Sequence, residues 1–280
     1  MILDGKKTAD MIIARIAKEV ADIEDKITLS IFLVGEDPAS LIYVNKKQKA
    51  CDEAGILVTP HFLNDNVTQK ELLKLIDEDN KNPNIHGILM QMPLPSHIVA
   101  DIILNAIDPN KDVDGLSIIN QGKLLSGDDT LVPATPKGVI TILKKNYIDI
   151  AGKNVVVVGR SRLVGKPLAL LFLQNNATVT IAHSKTTNLK EVTRRADILA
   201  VAVGIPNFIT ADMVKKDAVV IDVGINKVEG KLIGDVNYSE VADLASYITP
   251  VPKGIGPMTI ASLLENVLIC YQIQKKLQEK

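Results

Sequence analysis

One lysine interrupts a stripe of small and apolar side chains. In the stretch 38–54, positions 39, 43, 47, 50, 51 and 54 hold Ala39, Tyr43, Lys47, Ala50, Cys51 and Ala54, and their spacing puts them on one face of a helix. Tyr43 and Lys47 are four residues apart, so the phenol and the ammonium can meet on that face. A lysine drawn partly out of water has a lowered pKa and can pass protons near neutral pH, which an exposed lysine does poorly. The alternative is a lysine that lays its stem along the helix edge and keeps its charge in water. Lys46 and Lys49 fall toward the face of Ile42 and Glu53, where solvation is the simpler account.

Gln91 closes an apolar run that is followed at once by Met92, Pro93, Leu94 and Pro95. The carboxyl ends of parallel strands are where ligands bind in open α/β sheets. A glutamine there offers both a donor and an acceptor to a substrate or a water, although a bond to its own backbone neighbourhood is an equal alternative. Asp112 and Asp114 stand in the segment Lys111-Asp112-Val113-Asp114-Gly115. In an extended segment their side chains would face one way, which invites a metal reading. No third carboxylate or histidine stands at a convincing spacing, and the four histidines (61, 86, 97 and 183) are scattered. No metal centre is expected.

A second kind of chemistry is written in VVVVGRSRLVGKPLALLFL, residues 155–173. Gly159 follows a buried-looking strand, Gly165 comes six residues later, and an apolar helix follows. Glycines at such a turn let the backbone approach a pyrophosphate, and the helix start offers free N–H groups. Ser161 stands near the place of the middle glycine of G-x-G-x-x-G and the spacing is one longer, so these residues alone also fit a tight strand–helix turn. Dinucleotide units that bind NAD place an acid about 20 residues beyond the glycines to bond the ribose. From Asn154 to Lys190 this chain has no carboxylate, and it carries Arg160, Arg162, Lys166, Lys185 and Lys190 instead. Where the acid would stand the chain reads Ala182-His183-Ser184-Lys185. Cations and a hydroxyl suit a 2′-phosphate, so NADP is expected over NAD; a solvated cationic helix face is the other account.

The elements that would position these residues alternate between short apolar runs and amphipathic stretches, the pattern of a parallel α/β sheet. Strands are predicted at 28–34, 56–63 and 85–91, with helices at about 38–54, 68–80 and 96–106. Residues 108–138, rich in Asp, Gly and Pro, are expected to be irregular and to lie on the surface. A second series of strands is predicted at 154–159, 177–183, 198–203 and 218–224. Its first strand is almost pure valine, as befits a strand covered on both faces. The end of the chain reads as one helix opened near Pro257, and it is expected to return to the first domain. The predicted class is therefore α/β in two domains. An N-terminal catalytic domain covers 1–138 with 260–280, and a Rossmann-like, doubly wound cofactor domain covers 139–259.

Composition narrows the rest. Of 280 residues 46% are apolar, and 32 Lys+Arg nearly balance 33 Asp+Glu, so there is no basic footprint for nucleic acid. With no Trp, five Tyr and four Phe, aromatic platforms for bases are few. No apolar run approaches the roughly 20 residues of a membrane span, and the N-terminus lacks a secretory pattern, so a cytoplasmic protein is expected. Cys51 and Cys270 are read as small apolar fillers.

Nine segments taken together, in order and spacing, go further: YVNKKQKAC (43–51), GILMQMPLP (87–95), KDVDG (111–115), PATPKG (133–138), GRSRLVGKP (159–167), AHSKT (182–186), DVGIN (222–226), GDV (234–236) and TPVPKGIGPMT (249–259). The chain resembles the bifunctional methylenetetrahydrofolate dehydrogenase/methenyltetrahydrofolate cyclohydrolase family over nearly its whole length. The resemblance implies oxidation of a folate by NADP followed by hydrolysis, Lys47 as the catalytic lysine, and Tyr43 and Gln91 as its partners. It implies that Asp114 grips the pterin ring, and that Gly159, Arg160, Ser161, Gly165, Ser184, Ile225 and Thr259 lie against the cofactor, with Arg160 and Ser184 at the 2′-phosphate and Thr259 near the nicotinamide. It also implies a homodimer and the short form without an appended synthetase domain. Lys253 departs from the pattern, standing where the family typically has glycine, which implies a loop of different shape or charge. A dehydrogenase of the quinate/shikimate type and a non-catalytic NADP sensor are the rival readings; neither needs all nine segments.

Overall fold

The computed structural model describes residues 1–279, with the side chain of Ala39 lying outside that description. The chain forms two compact units, Met11–Ala134 with the chain from Ile260 on, and Met1–Asp10 with Thr135–Thr259.

The first unit contains most of α1 (Gly5–Ala21), then β1 (Thr28–Val34), α2 (Pro38–Ala54), β2 (Leu57–Leu63), α3 (Gln69–Lys81), β3 (Gly87–Met90), α4 (Ala100–Ala106) and α5 (Ile118–Leu125). Its sheet is parallel in the order β2-β1-β3. All seven residues of β1 are buried, so the central strand has no polar alternation. The bounds of α2 match the prediction because its ends are punctuated. Asp37 accepts from Ser40 N at 2.8 Å, Pro38 stands in the first turn, and Gly55 closes the helix at φ 74°. Inside the core, Asp79 of α3 accepts from Ser30 of β1 and lies 3.1 Å from His61 of β2, whose ring stacks on Phe32.

The segment 108–138 is not the irregular surface loop expected from its composition. It contains α5 and the start of α6 (Ala134–Lys145), and Lys111, Asp112, Val113, Leu116, Ser117, Asn120, Leu124, Leu131 and Val132 are buried. Polar side chains replace periodicity as the organising force. Ile88 N donates to Lys111 O at 2.7 Å, the Lys111 ammonium donates to Asp79 O and Asn82 O at 3.0 and 2.8 Å at the end of α3, and Ser117 caps α5.

The second unit continues with β4 (Asn154–Val158), α7 (Gly165–Gln174), β5 (Thr178–Ala182), α8 (Leu189–Thr193), β6 (Ile198–Val201), β7 (Val219–Asp222), the hairpin β8 (Asn226–Val228) and β9 (Lys231–Ile233), α9 (Tyr238–Val241) and β10 (Tyr247–Ile248). Five of these strands form a parallel sheet in the order β10-β7-β6-β4-β5. The first residues of the chain, read from sequence with the first domain, join this sheet: Leu3 N donates to Ile248 O at 2.8 Å and Ile248 N to Met1 O at 3.0 Å.

The last helix, α10 (Ile255–Gln278), starts two residues before Pro257. From Ile260 on it belongs to the first unit, as expected. Asn266 donates to Val113 O and Val132 O at 2.8 and 2.9 Å, Gln274 donates to His86 O at 2.7 Å, and Tyr271 donates to Asp25 at 2.8 Å. Among the described residues no helix is long and apolar enough to cross a membrane.

Candidate active site

Lys47 projects from α2 toward the carboxyl end of β3, and its ammonium donates to Gln91 Oε1 at 3.0 Å. Gln91 follows β3 directly and its N–H donates to Phe32 O of β1 at 2.9 Å. The far end of its amide donates to Met92 O at 2.8 Å. With a carbonyl acceptor on one side and an ammonium on the other, the amide has one satisfied orientation, oxygen toward lysine. Of the two uses that the sequence left open for Gln91, the bond to its own backbone neighbourhood is realised, and its acceptor is turned to Lys47.

Burial lowers the Lys47 pKa, and the negative charge of Asp114 pulls it partly back. Burial pushes the Asp114 carboxyl up in turn, with Lys47 opposing and Asp112 adding to the shift. The half-buried Tyr43 phenol is also shifted upward by burial, which keeps it protonated and able to donate. The ring of Tyr43 carries a different lysine, the Lys46 ammonium lying 5.9 Å from its centroid, while the hydrogen bond of Lys47 goes to Gln91. Cys51, one turn along α2, is buried and its thiol is pushed up to about 12. It is no nucleophile.

The expectation that Asp112 and Asp114 face one way is overturned. Asp112 forms a bridge with Ile88 and is followed by a turn, so the segment is not extended beyond it. The buried Asp112 carboxylate accepts from Leu116 N at 3.2 Å, Ser117 N at 2.8 Å and Asn120 Nδ2 at 3.0 Å. Its three accepted bonds hold the turn that carries Asp114. Sequence inspection missed this role, for which the N-cap pattern Ser117-x-x-Asn120 was an available signal.

In the second unit, the Gly159–Gly165 turn lies at the carboxyl end of β4. Gly159 has φ 127°, and a side chain there would meet Ala202 O at 2.3 Å. A side chain on Gly165 would meet Gly159 O at 2.3 Å, so both positions require glycine and let backbone pack on backbone at the start of α7. Ser161 accepts from Val164 N and Gly165 N at 3.2 and 3.3 Å, capping that turn. Gly159 N donates to Ala182 O at 2.8 Å, which places the end of β5 beside it. There His183 N donates to Thr186 Oγ1 at 2.8 Å and Lys185 N to His183 Nδ1 at 3.1 Å, a tight turn that leaves Ser184 and Lys185 exposed. Arg160 is exposed on the neighbouring turn. The donor set beside this glycine turn, a guanidinium, an ammonium and a hydroxyl, fits a phosphorylated dinucleotide. Lys190 is not part of it, because its ammonium pairs with Asp212 at 2.6 Å. Ile225 is 40% exposed, and Thr259 bonds Thr135 at 3.0 Å and Ile255 O at 3.1 Å.

Residues 3–114 match the catalytic domain, and residues 133–275 the NAD(P)-binding domain, of the tetrahydrofolate dehydrogenase/cyclohydrolase family. A curated relative, the bifunctional protein FolD of Campylobacter concisus (strain 13826), is 54% identical over 97% of both chains. The chain belongs to the tetrahydrofolate dehydrogenase/cyclohydrolase family. Among solved structures, the bifunctional enzyme FolD of Campylobacter jejuni superposes with a TM-score of 0.95 at 45% identity over 98% of this chain and 99% of that one. The methylenetetrahydrofolate dehydrogenase-cyclohydrolase of Trypanosoma brucei, complexed with NADP cofactor and inhibitor, does so with a TM-score of 0.95 at 35% identity over 99% and 98%. Within this family the departure at Lys253 has a backbone explanation. Its φ of 82° lies in the left-handed region that glycine enters without strain. The Lys253 side chain is exposed.

Proposed function

We propose that the chain oxidises 5,10-methylenetetrahydrofolate to 5,10-methenyltetrahydrofolate with NADP+ and hydrolyses the methenyl product to 10-formyltetrahydrofolate. The observation that carries this reading is the contact of Lys47 with Gln91 beside Asp114 at the end of a parallel strand, in a family that pairs such a catalytic domain with an NAD(P)-binding one. Residues 11–138 with 260–280 serve the folate, and 139–259 serve the cofactor together with the first ten residues that join its sheet.

Each side chain then has a task. Asp114 accepts from the N–H groups of the pterin. Gly159 and Gly165 admit the pyrophosphate to the start of α7, Ser161 holds that turn, Arg160 and Ser184 bind the 2′-phosphate, and Ile225 and Thr259 bound the nicotinamide end. NADP+, when bound, supplies the hydride acceptor. Hydride transfer itself needs orientation and no protein acid or base. Hydrolysis does need one: water adds to the methenyl carbon and loses a proton, the bond from that carbon to N5 breaks, N5 gains a proton, and one proton is released overall. Lys47, with its pKa lowered by burial, takes the proton of the attacking water as a free amine, Gln91 holds that amine in place, and Tyr43 donates to the developing charge. The family resemblance supports reading the enzyme as a homodimer, and the N-terminal sequence without a secretory pattern supports reading it as cytoplasmic.

The test follows the ultraviolet absorbance of methenyltetrahydrofolate as it forms with NADP+ or NAD+, and as it decays without cofactor. Formation with NADP+ and accelerated decay are expected. A protein that accelerates neither refutes the proposal, and dehydrogenation of shikimate in their place would support the rival reading.

A further inference from the structure

The strand order of the second unit reverses between β4 and β6, with β5 on one side of β4 and β7 and β10 beyond β6. Ligands of open parallel sheets bind outside the carboxyl ends of the strands at such a switch point. One wall there is the Gly159–Gly165 turn. The other is the segment after β6, whose Ala202 N donates to Val158 O at 2.8 Å and whose Ala202 O backs Gly159. Three consecutive N–H groups in this second wall, on Val203, Gly204 (φ 69°) and Ile205, converge as an anion nest. The chain fills the nest itself. The carboxylate of Asp235, 0% exposed, accepts from Val203 N at 2.6 Å and Gly204 N at 2.9 Å through Oδ2. Through Oδ1 it accepts from Ile205 N and Asn226 Nδ2, both at 2.9 Å.

The fit leaves no slack. A side chain on Gly224 would fall 2.1 Å from the Asp235 carboxyl. Asp235 is itself held by a second buried acid, Asp222, which accepts from Asp235 N, Val236 N and Gly224 N at 2.9, 2.9 and 3.0 Å. We propose that Asp235 is a positioning residue for NADP+: by occupying the nest it sets the wall after β6, and through Asn226 the adjoining loop that carries Ile225, and it leaves the cofactor's phosphates to the Gly159–Gly165 turn. This rests on the reading of that turn as the NADP+ site.

Asp235→Asn tests it, because the amide keeps the shape but turns an N–H₂ group toward two N–H donors in either orientation. The dissociation constant for NADP+ by titration calorimetry is expected to rise at least tenfold, and the KM for NADP+ with it. Cyclohydrolase activity, assayed from methenyltetrahydrofolate without NADP+, is expected to stay within twofold, which a general loss of structure would not allow. An NADP+ affinity unchanged within twofold, or a cyclohydrolase loss as large as the dehydrogenase loss, overturns the proposal. Should Asp235→Asn fail to fold, Asn226→Ala removes a single donor from the same carboxylate. A threefold or greater weakening of NADP+ binding with unchanged cyclohydrolase is then expected, and unchanged binding overturns the proposal. Failure of the underlying reading shows in the wild type, as absent NADP+ binding, and overturns both.

Discussion

Replacing Lys47 with methionine separates the two reactions at one side chain. The substitution keeps the stem on the face of α2 that carries the buried Ala50, Cys51 and Ala54 and removes the ammonium that donates to Gln91. Hydride transfer needs no proton transfer by the protein, whereas the attacking water must lose a proton, and a positioned acid or base is worth roughly 10²–10⁴-fold. Cyclohydrolase activity of Lys47→Met should therefore fall about 10²–10⁴-fold while measurable dehydrogenase activity survives. Lys46→Met is the control. Its ammonium is exposed over the Tyr43 ring at 5.9 Å, an interaction of about 0.5–1 kcal/mol, so both activities should hold. Stability supplies an independent readout. Burial lets the folded lysine release its proton below the ordinary value of 10.5. Between those two pKa values the unfolded chain binds more protons, so stability rises with pH across that interval, and Lys47→Met should abolish the rise. Stopped-flow decay of methenyltetrahydrofolate gives the first result and urea unfolding at several alkaline pH values the second. Near wild-type hydrolysis in Lys47→Met, or collapse in Lys46→Met, would refute the assignment.

Gln91→Glu puts a carboxylate in place of the amide oxygen that faces Lys47 at 3.0 Å; it should raise the lysine pKa and move the rising limb of the cyclohydrolase pH profile to higher pH, and an unmoved profile would sever Gln91 from Lys47. NADP+ should be preferred over NAD+ by about 10–100-fold in kcat/KM, from the roughly 1.5–3 kcal/mol of charge-assisted bonds to a phosphate, and Arg160→Ala should shrink that preference chiefly through the KM for NADP+. The two loop acids should part company. Asp112→Asn, whose amide turns an N–H₂ group toward at least one of the three N–H donors that the carboxylate satisfies, should lower stability by about 1–3 kcal/mol in urea unfolding, whereas Asp114→Ala should leave stability intact and weaken folate binding in both assays.

The elements that could be read from the chain are those whose information is periodic or punctuated. β1 and α2 were readable to the residue, one as a largely apolar run broken only by Thr28 and Ser30 and the other between Asp37, Pro38 and Gly55. α4 begins at Ala100 and not near 96, because Pro95 is followed by a turn in which Ile98 N bonds Pro95 O. The helical face of α2 singled out Lys47 without any relative, since a cation in an apolar stripe is a departure from period. Gly159 and Gly165 were legible for a related reason: a strand, a glycine and an apolar helix in succession constrain the backbone between them.

What stayed hidden depends on where backbone N–H groups go, which no pattern of side-chain types records. Asp112 acts on amides four and five residues ahead, and Asp235 on amides 30 to 32 residues behind it. Both lie in stretches that look like polar loops, yet both are buried because each carboxylate replaces lost water with N–H donors. A composition rule that sends acids to the surface therefore fails where it matters for function. In the first unit a buried acid holds the turn carrying Asp114, and in the second another fills a nest beside the glycine cradle. Short motifs such as KDVDG and GDV each include an acid that braces the backbone around it, and under the proposed function the braced segment is the one that faces the folate or walls the cofactor. Substituting the brace and the ligand-facing residue separately distinguishes the two contributions.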